Sequence, residues 1–175
     1  MGESPGPVAD VGCGPGQVAR YLHDRGLPAY GVDLSPGMVA QARRLHPGMT
    51  FREGSLLGLD AADGECSGIT AFYSIIHLPP ESHSQAFGEF HRVLRPGGRL
   101  LLAFHVGAET LHLDDWWEHP VELDFHLLDP ARVAAELDGA DFTVEARVER
   151  RPYEPVEHPT RRCYLLARKR ADGAG

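Results

Sequence analysis

The sequence predicts an α/β protein with a parallel sheet covered by helices on both faces. Two observations carry that expectation. Short apolar runs of strand type alternate with helix-type segments almost from the first residues, and glycine- or proline-rich turns separate them. Composition agrees with a single globular domain over 1–175, because 42% hydrophobic and 24% charged residues in a chain of 175 can build a core and do not suit a disordered chain.

The elements follow in order. Residues 7–11 read as a short buried strand, 12–16 as a glycine turn, and 17–24 as a helix with Val18, Tyr21 and Leu22 on one face, ended by Gly26. A second strand, 29–32, runs into Asp33. Ser35 then stands as an N-cap with Pro36 at the first helical position, opening a helix to about Leu45. A third strand is expected over 50–53, and the Gly- and Asp-rich stretch 54–64 reads as loop or one short helix. The fourth strand is expected over 68–76, closed by Pro79-Pro80. A helix over 81–94 turns Phe87, Phe90 and Val93 inward, and Pro96-Gly97-Gly98 breaks the chain before an apolar strand at 99–106. Residues 107–128 read as an insertion. Asp129-Pro130 opens a helix through Leu137, and two last strands, 142–149 and 162–167, flank a proline-containing loop that suits an antiparallel return. The folded core is thus expected over 7–168, with 169–175 as a frayed tail.

Charge and composition exclude several classes of function. With 17 Lys+Arg against 25 Asp+Glu the chain carries a formal charge of -8, which repels a phosphate backbone, so no nucleic-acid partner is expected. No stretch approaches the roughly 18 to 20 apolar residues of a membrane span, and residues 1–10 have no leader character, so the expectation is a cytoplasmic protein without a membrane partner. Cys13, Cys66 and Cys163 are scattered and form no CxxC, so they read as reduced bystanders and suggest neither a disulfide framework nor a zinc site.

The stretch Asp10-Val11-Gly12-Cys13-Gly14-Pro15-Gly16-Gln17 lies between a strand and a helix, where a ligand can approach backbone amides at the carboxyl edge of a parallel sheet. A glycine cluster alone is also compatible with a plain tight turn. Asp33, at the end of the next strand, can accept hydrogen bonds from two ribose hydroxyls. A dinucleotide fingerprint requires a third glycine where Gln17 stands, so that ligand class is disfavoured. Asp10 in the strand end would be unwelcome near pyrophosphate and useful opposite an ammonium group.

On these residues the chain resembles the class I S-adenosylmethionine-dependent methyltransferases, through Val8-Ala9-Asp10-Val11-Gly12-Cys13-Gly14-Pro15-Gly16, Gly31-Val32-Asp33-Leu34-Ser35-Pro36-Gly37-Met38 and Arg92-Val93-Leu94-Arg95-Pro96-Gly97-Gly98-Arg99-Leu100. The resemblance implies a Rossmann-like, doubly wound, seven-stranded sheet of order 3-2-1-4-5-7-6 with an antiparallel strand 7. It implies S-adenosylmethionine as cofactor, with S-adenosylhomocysteine as product. Gly12 and Gly14 would line the amino-acid part of the cofactor, Gly16 would belong to the cofactor-binding set as well, and Asp10 would help orient the amino group. Asp33 would hold the ribose, Leu34 and Met38 would flank adenine, and Ser55-Leu56 would meet the adenine amine. Ser55 stands where the family usually has an acid, which implies a weaker hydrogen bond there.

The resemblance also places the end of the fourth strand beside the methionine moiety, making Tyr73 and His77 the catalytic candidates, with Tyr73 counted in the cofactor wall as well. Methyl transfer needs the nucleophile positioned and, for a hydroxyl or ammonium, deprotonated, and a histidine suits that near neutral pH. Two readings stay open for each residue: base or satisfied junction histidine for His77, pocket lining or core aromatic for Tyr73. Six histidines recur at multiples of seven from His77 to His126, but the breakers between them forbid one helical face. Within the insertion, Glu122, Asp124 and His126 alternate with Val121, Leu123 and Phe125, which suggests a strand with one polar face and no metal site. Trp116 and Trp117 are candidates for a substrate wall or for packing over the fifth strand's end. Arg147, Arg150, Arg151, Arg161 and Arg162 read as a solvated face balancing local acids.

Family members usually carry helices before the first strand that cover the cofactor, whereas about six residues precede it in this sequence. A second copy of the chain covering that open front is therefore the expected protein partner, beside a small-molecule acceptor. The function implied is methyl transfer to a small-molecule oxygen, nitrogen or carbon nucleophile. The alternative is a domain that binds the cofactor without methylating, as a regulatory partner or as a cofactor-scaffolded catalyst such as a cyclase.

Overall fold

The structure, a computed structural model, describes residues 6–116 and 119–171, with side chains described outside 113–123. The chain begins with β1 (Val8–Val11), α1 (Gln17–Asp24), β2 (Ala29–Asp33), α2 (Pro36–Leu45) and β3 (Phe51–Glu53). It continues through β4 (Cys66–Phe72), α3 (His83–Val93) and β5 (Leu94–Val106), then a hairpin of β6 (Thr110–Trp116) and β7 (His119–His126). It ends with α4 (Pro130–Gly139), β8 (Phe142–Arg150) and β9 (Arg161–Lys169).

Seven strands form one sheet in the order β3-β2-β1-β4-β5-β9-β8, and β6 pairs only with β7. Strands β1 to β5 pair in parallel, β9 runs antiparallel to β5, and β8 antiparallel to β9, so β9 alone opposes the rest. Numbered within this sheet the order is 3-2-1-4-5-7-6, as expected.

Alternation along the strands builds two apolar layers. One packs Ala19 of α1 with Val39 and Ala42 of α2 over Phe51. The larger one packs Phe87 and Phe90 of α3 and Val133 and Leu137 of α4 against Leu100, Leu102, Phe104 and Leu165. Both proline-led helices are capped as their sequences dictate. Ser35 Oγ accepts from Met38 N, and Asp129 Oδ1 accepts from Ala131 N at 3.0 Å.

Several boundaries differ from expectation. The fourth strand stops at Phe72, because Tyr73 takes a left-handed φ of 53° and Ile75–His77 curls into a 3₁₀ turn. That turn buries Ile75 and Ile76 together, which a continued strand would point to opposite sides. No helix forms over 54–64. Pro96-Gly97-Gly98 lies inside β5 as a bulge: Cys66 faces Leu94 and Gly68 faces Arg99, so two steps on β4 match five on β5. The insertion supplies two paired strands where one was expected. The expected Trp116–Trp117 wall lies outside the described side chains.

The tail begins later than expected. Lys169 is buried in β9, and its ammonium donates to His91 O at 2.8 Å and Leu94 O at 2.9 Å, which ties the end of α3 to β9. Arg162 is a second correction. Arg147 and Arg161 pair with Glu149 near the surface, but Arg162 is buried and donates to the carbonyls of His158 and Thr160. All three cysteines are free and buried.

Candidate functional site

The carboxyl edge of β1, β2 and β4 frames a cleft of about 470 Å³. Gly12 and Gly14 form one wall, Asp33, Leu34 and Met38 a second, and Tyr73, Ser74 and His77 a third. The glycine turn is clamped to β2, since Gly12 N and Cys13 N both donate to Val32 O, at 2.7 and 3.0 Å. Gly14 N then donates to Asp33 Oδ2 at 2.8 Å, while Asp33 Oδ1 accepts from Ser35 N at 2.9 Å. Each carboxylate oxygen of Asp33 keeps unused lone-pair capacity toward the cleft it lines.

Gly12 must be glycine twice over. Its φ is +72°, and a Cβ there would stand 2.2 Å from Ser74 Cβ. Gly14 has open space at the same position, consistent with a wall that faces a ligand. Gly16 does not line the cleft: a Cβ on it would strike the Phe51 ring at 2.6 Å, so it serves the packing of α1 against β3.

Leu34 and Met38 are 69% and 41% exposed, so two large apolar side chains face solvent across the cleft. Leu56 completes that apolar side. Ser55 does not line the cleft; its Oγ accepts from Leu57 N at 3.1 Å and thereby shapes the turn that presents Leu56. Asp10 also sits behind the wall. Its Oδ2 accepts from Ala19 N at 3.1 Å and its Oδ1 from Thr70 Oγ1 at 2.8 Å, so the carboxylate ties α1 to β4. Burial pushes its pKa up to about 6, against the two hydrogen bonds that favour the anion.

Sequence reasoning missed Ser74. It is 5% exposed, lines the cleft, and its Oγ has no hydrogen-bond partner among the described residues. A buried hydroxyl without a partner costs roughly 1 to 3 kcal/mol. Its signal is non-local, lying in the approach of the β4 end to Gly12, and no spacing along the chain carries it.

His77 lines the cleft and hydrogen-bonds through Nδ1 to Asp124 O of β7 at 3.3 Å, its ring edge-on to Phe125 at 4.7 Å. A carbonyl can only accept, so Nδ1 carries the proton and Nε2 is left as an acceptor. Desolvation beneath the hairpin is the main cause holding the His77 pKa below the ordinary value, although part of the side chain reaches solvent. Tyr73 also lines the cleft. Its ring lies 4.9 Å from that of His105, and its hydroxyl meets that of Tyr164 at 3.1 Å. The polar side of the hairpin is internally paired: His112 Nδ1 meets Asp124 Oδ1 at 2.7 Å and His126 Nδ1 meets Thr110 Oγ1 at 2.9 Å. Among the described residues no group of three His, Cys, Asp or Glu is placed to hold a metal ion, and no helix is long and apolar enough to cross a membrane.

Comparison with known proteins bears directly on this cleft, because residues 8–98, which include both glycine wall and Tyr73-to-His77 wall, match the methyltransferase domain family. The chain belongs to that family. The methyltransferase domain is 35% identical over 104 residues to demethylmenaquinone methyltransferase of Beutenbergia cavernae, covering 59% of this chain and 42% of that protein. It is 35% identical over 145 residues to methyltransferase GfsG of Streptomyces halstedii, covering 79% of this chain and 50% of that protein. The chain therefore spans half or less of these curated relatives. Among solved structures, a SAM-dependent methyltransferase from Methanosarcina mazei superposes with a TM-score of 0.84 over 97% of this chain and 95% of that one. Their sequences are 16% identical, so this likeness speaks for the fold of the methyltransferase domain.

Proposed function

We propose that the domain binds S-adenosylmethionine in the cleft and transfers its methyl group to a small-molecule oxygen, nitrogen or carbon nucleophile. The observation that carries this reading is the meeting, in one cleft, of the Gly14–Asp33 clasp with the orphaned Ser74 hydroxyl. When bound, the cofactor supplies an activated methyl on a sulfonium, open to in-line displacement.

The chain's own residues divide the remaining work. Asp33 accepts from ribose hydroxyls, and Leu34, Met38 and Leu56 offer apolar faces to the purine. Gly12 and Gly14 admit the amino-acid end, where Ser74 Oγ–H donates. Asp10 acts from behind the wall as a negative charge opposite the ammonium group, and Ser55 acts through the turn that carries Leu56. His77 Nε2 takes the acceptor's proton. The name of the Beutenbergia cavernae relative, a demethylmenaquinone methyltransferase, supports a small-molecule acceptor.

Incubation of the purified chain with methyl-labelled S-adenosylmethionine and panels of phenol, amine and activated-methylene acceptors tests the proposal. Label in an acceptor, with S-adenosylhomocysteine formed in equal amount and lost in Asp33→Ala, is the expected result. Binding without transfer to any panel would contradict the enzymatic part.

A further inference from the structure

Behind Tyr73 lies a polar chain that can hand a hydrogen to its hydroxyl. Arg150 Nε and Nη2 donate to Tyr164 Oη at 3.2 and 3.1 Å. Those two nitrogens belong to one guanidinium edge and converge on one side of the Tyr164 oxygen, so either hydroxyl can donate across the 3.1 Å between Tyr164 Oη and Tyr73 Oη. An oxyanion in the cleft would draw the Tyr73 hydrogen to itself, and the Tyr164 hydrogen would then be given to Tyr73 Oη. Arg150 is itself held by both carboxylate oxygens of Glu157, at 2.7 and 2.8 Å. Arg162, 4% exposed, approaches the same carboxylate at 3.6 Å. Two guanidinium groups against one carboxylate leave a net positive charge behind Tyr73.

The backbone at Tyr73 fits a functional role. A bulky side chain with φ 53° is a steric outlier, and this conformation turns the ring into the cleft wall and onto Tyr164. Burial is the largest cause holding the Tyr73 pKa above the ordinary phenol value, so its hydroxyl stays protonated at neutral pH. Beside it, burial and then Arg162 push His105 down to about 4, so that ring adds no charge of its own.

We propose that Tyr73 donates to the acceptor's reacting oxygen, and that the acceptor is a phenol or enol bound as its oxyanion, with Tyr164 and Arg150 as positioning residues. This rests on the reading of the cleft as the transfer site. The aromatic rings in its wall, Tyr73 and His77, suit a planar acceptor. In the transfer the oxyanion's lone pair forms the new C–O bond as the methyl–sulfur bond breaks, and that bond's electron pair returns to sulfur. The acceptor's proton has already passed to His77 Nε2.

4-Nitrophenol is the probe, since its phenolate absorbs in the visible while the phenol does not. Spectra of the bound probe are compared with the free compound at one pH, with and without S-adenosylhomocysteine, after thermal melting shows each variant folded. The bound probe is expected to be about tenfold richer in phenolate than the free one. Tyr73→Phe is expected to abolish the enrichment, and Tyr164→Phe, which keeps the ring and removes only the orienting donor, to cut it to less than about threefold. Absence of probe binding, no enrichment, or full enrichment in Tyr73→Phe would each overturn the proposal, even with S-adenosylhomocysteine bound. Tyr73-dependent enrichment in a chain that does not bind S-adenosylhomocysteine would leave the oxyanion site standing and refute the cofactor reading instead.

Discussion

Gly14 N donates to Asp33 Oδ2 across 2.8 Å, so the turn after β1 is hydrogen-bonded to the acid that ends β2. The clasp sets the width of the cleft and aims the acid, and it needs only a backbone amide at residue 14. Replacing Asp33 by Ala removes both the clasp and a charged acceptor for ribose. We expect S-adenosylhomocysteine affinity to fall by roughly 1.5 to 3 kcal/mol, read by calorimetry on a folded variant. Unchanged affinity would remove Asp33 from the site.

Gly12 and Ser74 form a second testable pair. Gly12→Ala places a methyl 2.2 Å from Ser74 Cβ at a φ of +72°, so steric overlap adds to backbone strain. The strain alone is about 1 to 2 kcal/mol. Ser74→Gly removes the nearest atoms and leaves Ser74 Cα as the next contact, at 3.5 Å. Denaturation of the two single variants and the double variant is expected to show coupling, the double being about 1 kcal/mol or more stabler than additivity predicts. Additive effects would mean that the two walls do not touch.

Asp10 gives a pH signature. Its pKa rises on folding from the ordinary carboxylate value of 3.8 to about 6, mainly through burial. Between those values the folded chain holds the proton more tightly than the unfolded one, so this residue's contribution to stability falls as pH rises through the window and stays low above it. The loss amounts to roughly 2 to 3 kcal/mol. Relative to Asp10→Asn, the parent chain is therefore expected to lose stability between about pH 4 and 6.5 in urea titrations. If the cofactor's ammonium group is drawn to Asp10, S-adenosylhomocysteine binding at pH 6 should also release protons, seen as a dependence of calorimetric heat on buffer ionisation.

His77 should titrate below the ordinary imidazole value, because desolvation under the hairpin opposes its charge. The proton resonances of the imidazole ring, assigned with His77→Gln, report this midpoint directly. With an acceptor in hand, His77→Ala is expected to lower turnover at least about tenfold while changing S-adenosylhomocysteine affinity less than about twofold. Turnover insensitive to pH and to this substitution would return His77 to a structural role at its junction.

The contrast between what the sequence revealed and what it hid is physical. The Ser35 cap and the acid at the end of β2 were legible because turn chemistry and hydrophobic period are local, whereas the strand order and the places of Leu34 and Met38 followed from the family resemblance. Gly16 and Gly12 looked alike in sequence, and only the ring of Phe51 behind one and Ser74 beside the other separates packing from ligand approach. Ser74, Tyr164 and Arg150 were silent for the same reason: their roles depend on neighbours far away along the chain, and no period records such pairs. The end of β4 was misplaced because a run of apolar residues from Ile69 to Ile76 does not show where a left-handed residue will stop the ladder.

The central claim, that this cleft is built for an adenosyl cofactor and not a dinucleotide, meets its most direct test in calorimetric titration with S-adenosylhomocysteine, with a nicotinamide dinucleotide as control. One-to-one binding of the first and none of the second is the predicted result. Preference for the dinucleotide, or binding of S-adenosylhomocysteine that survives Asp33→Ala undiminished, would contradict the account.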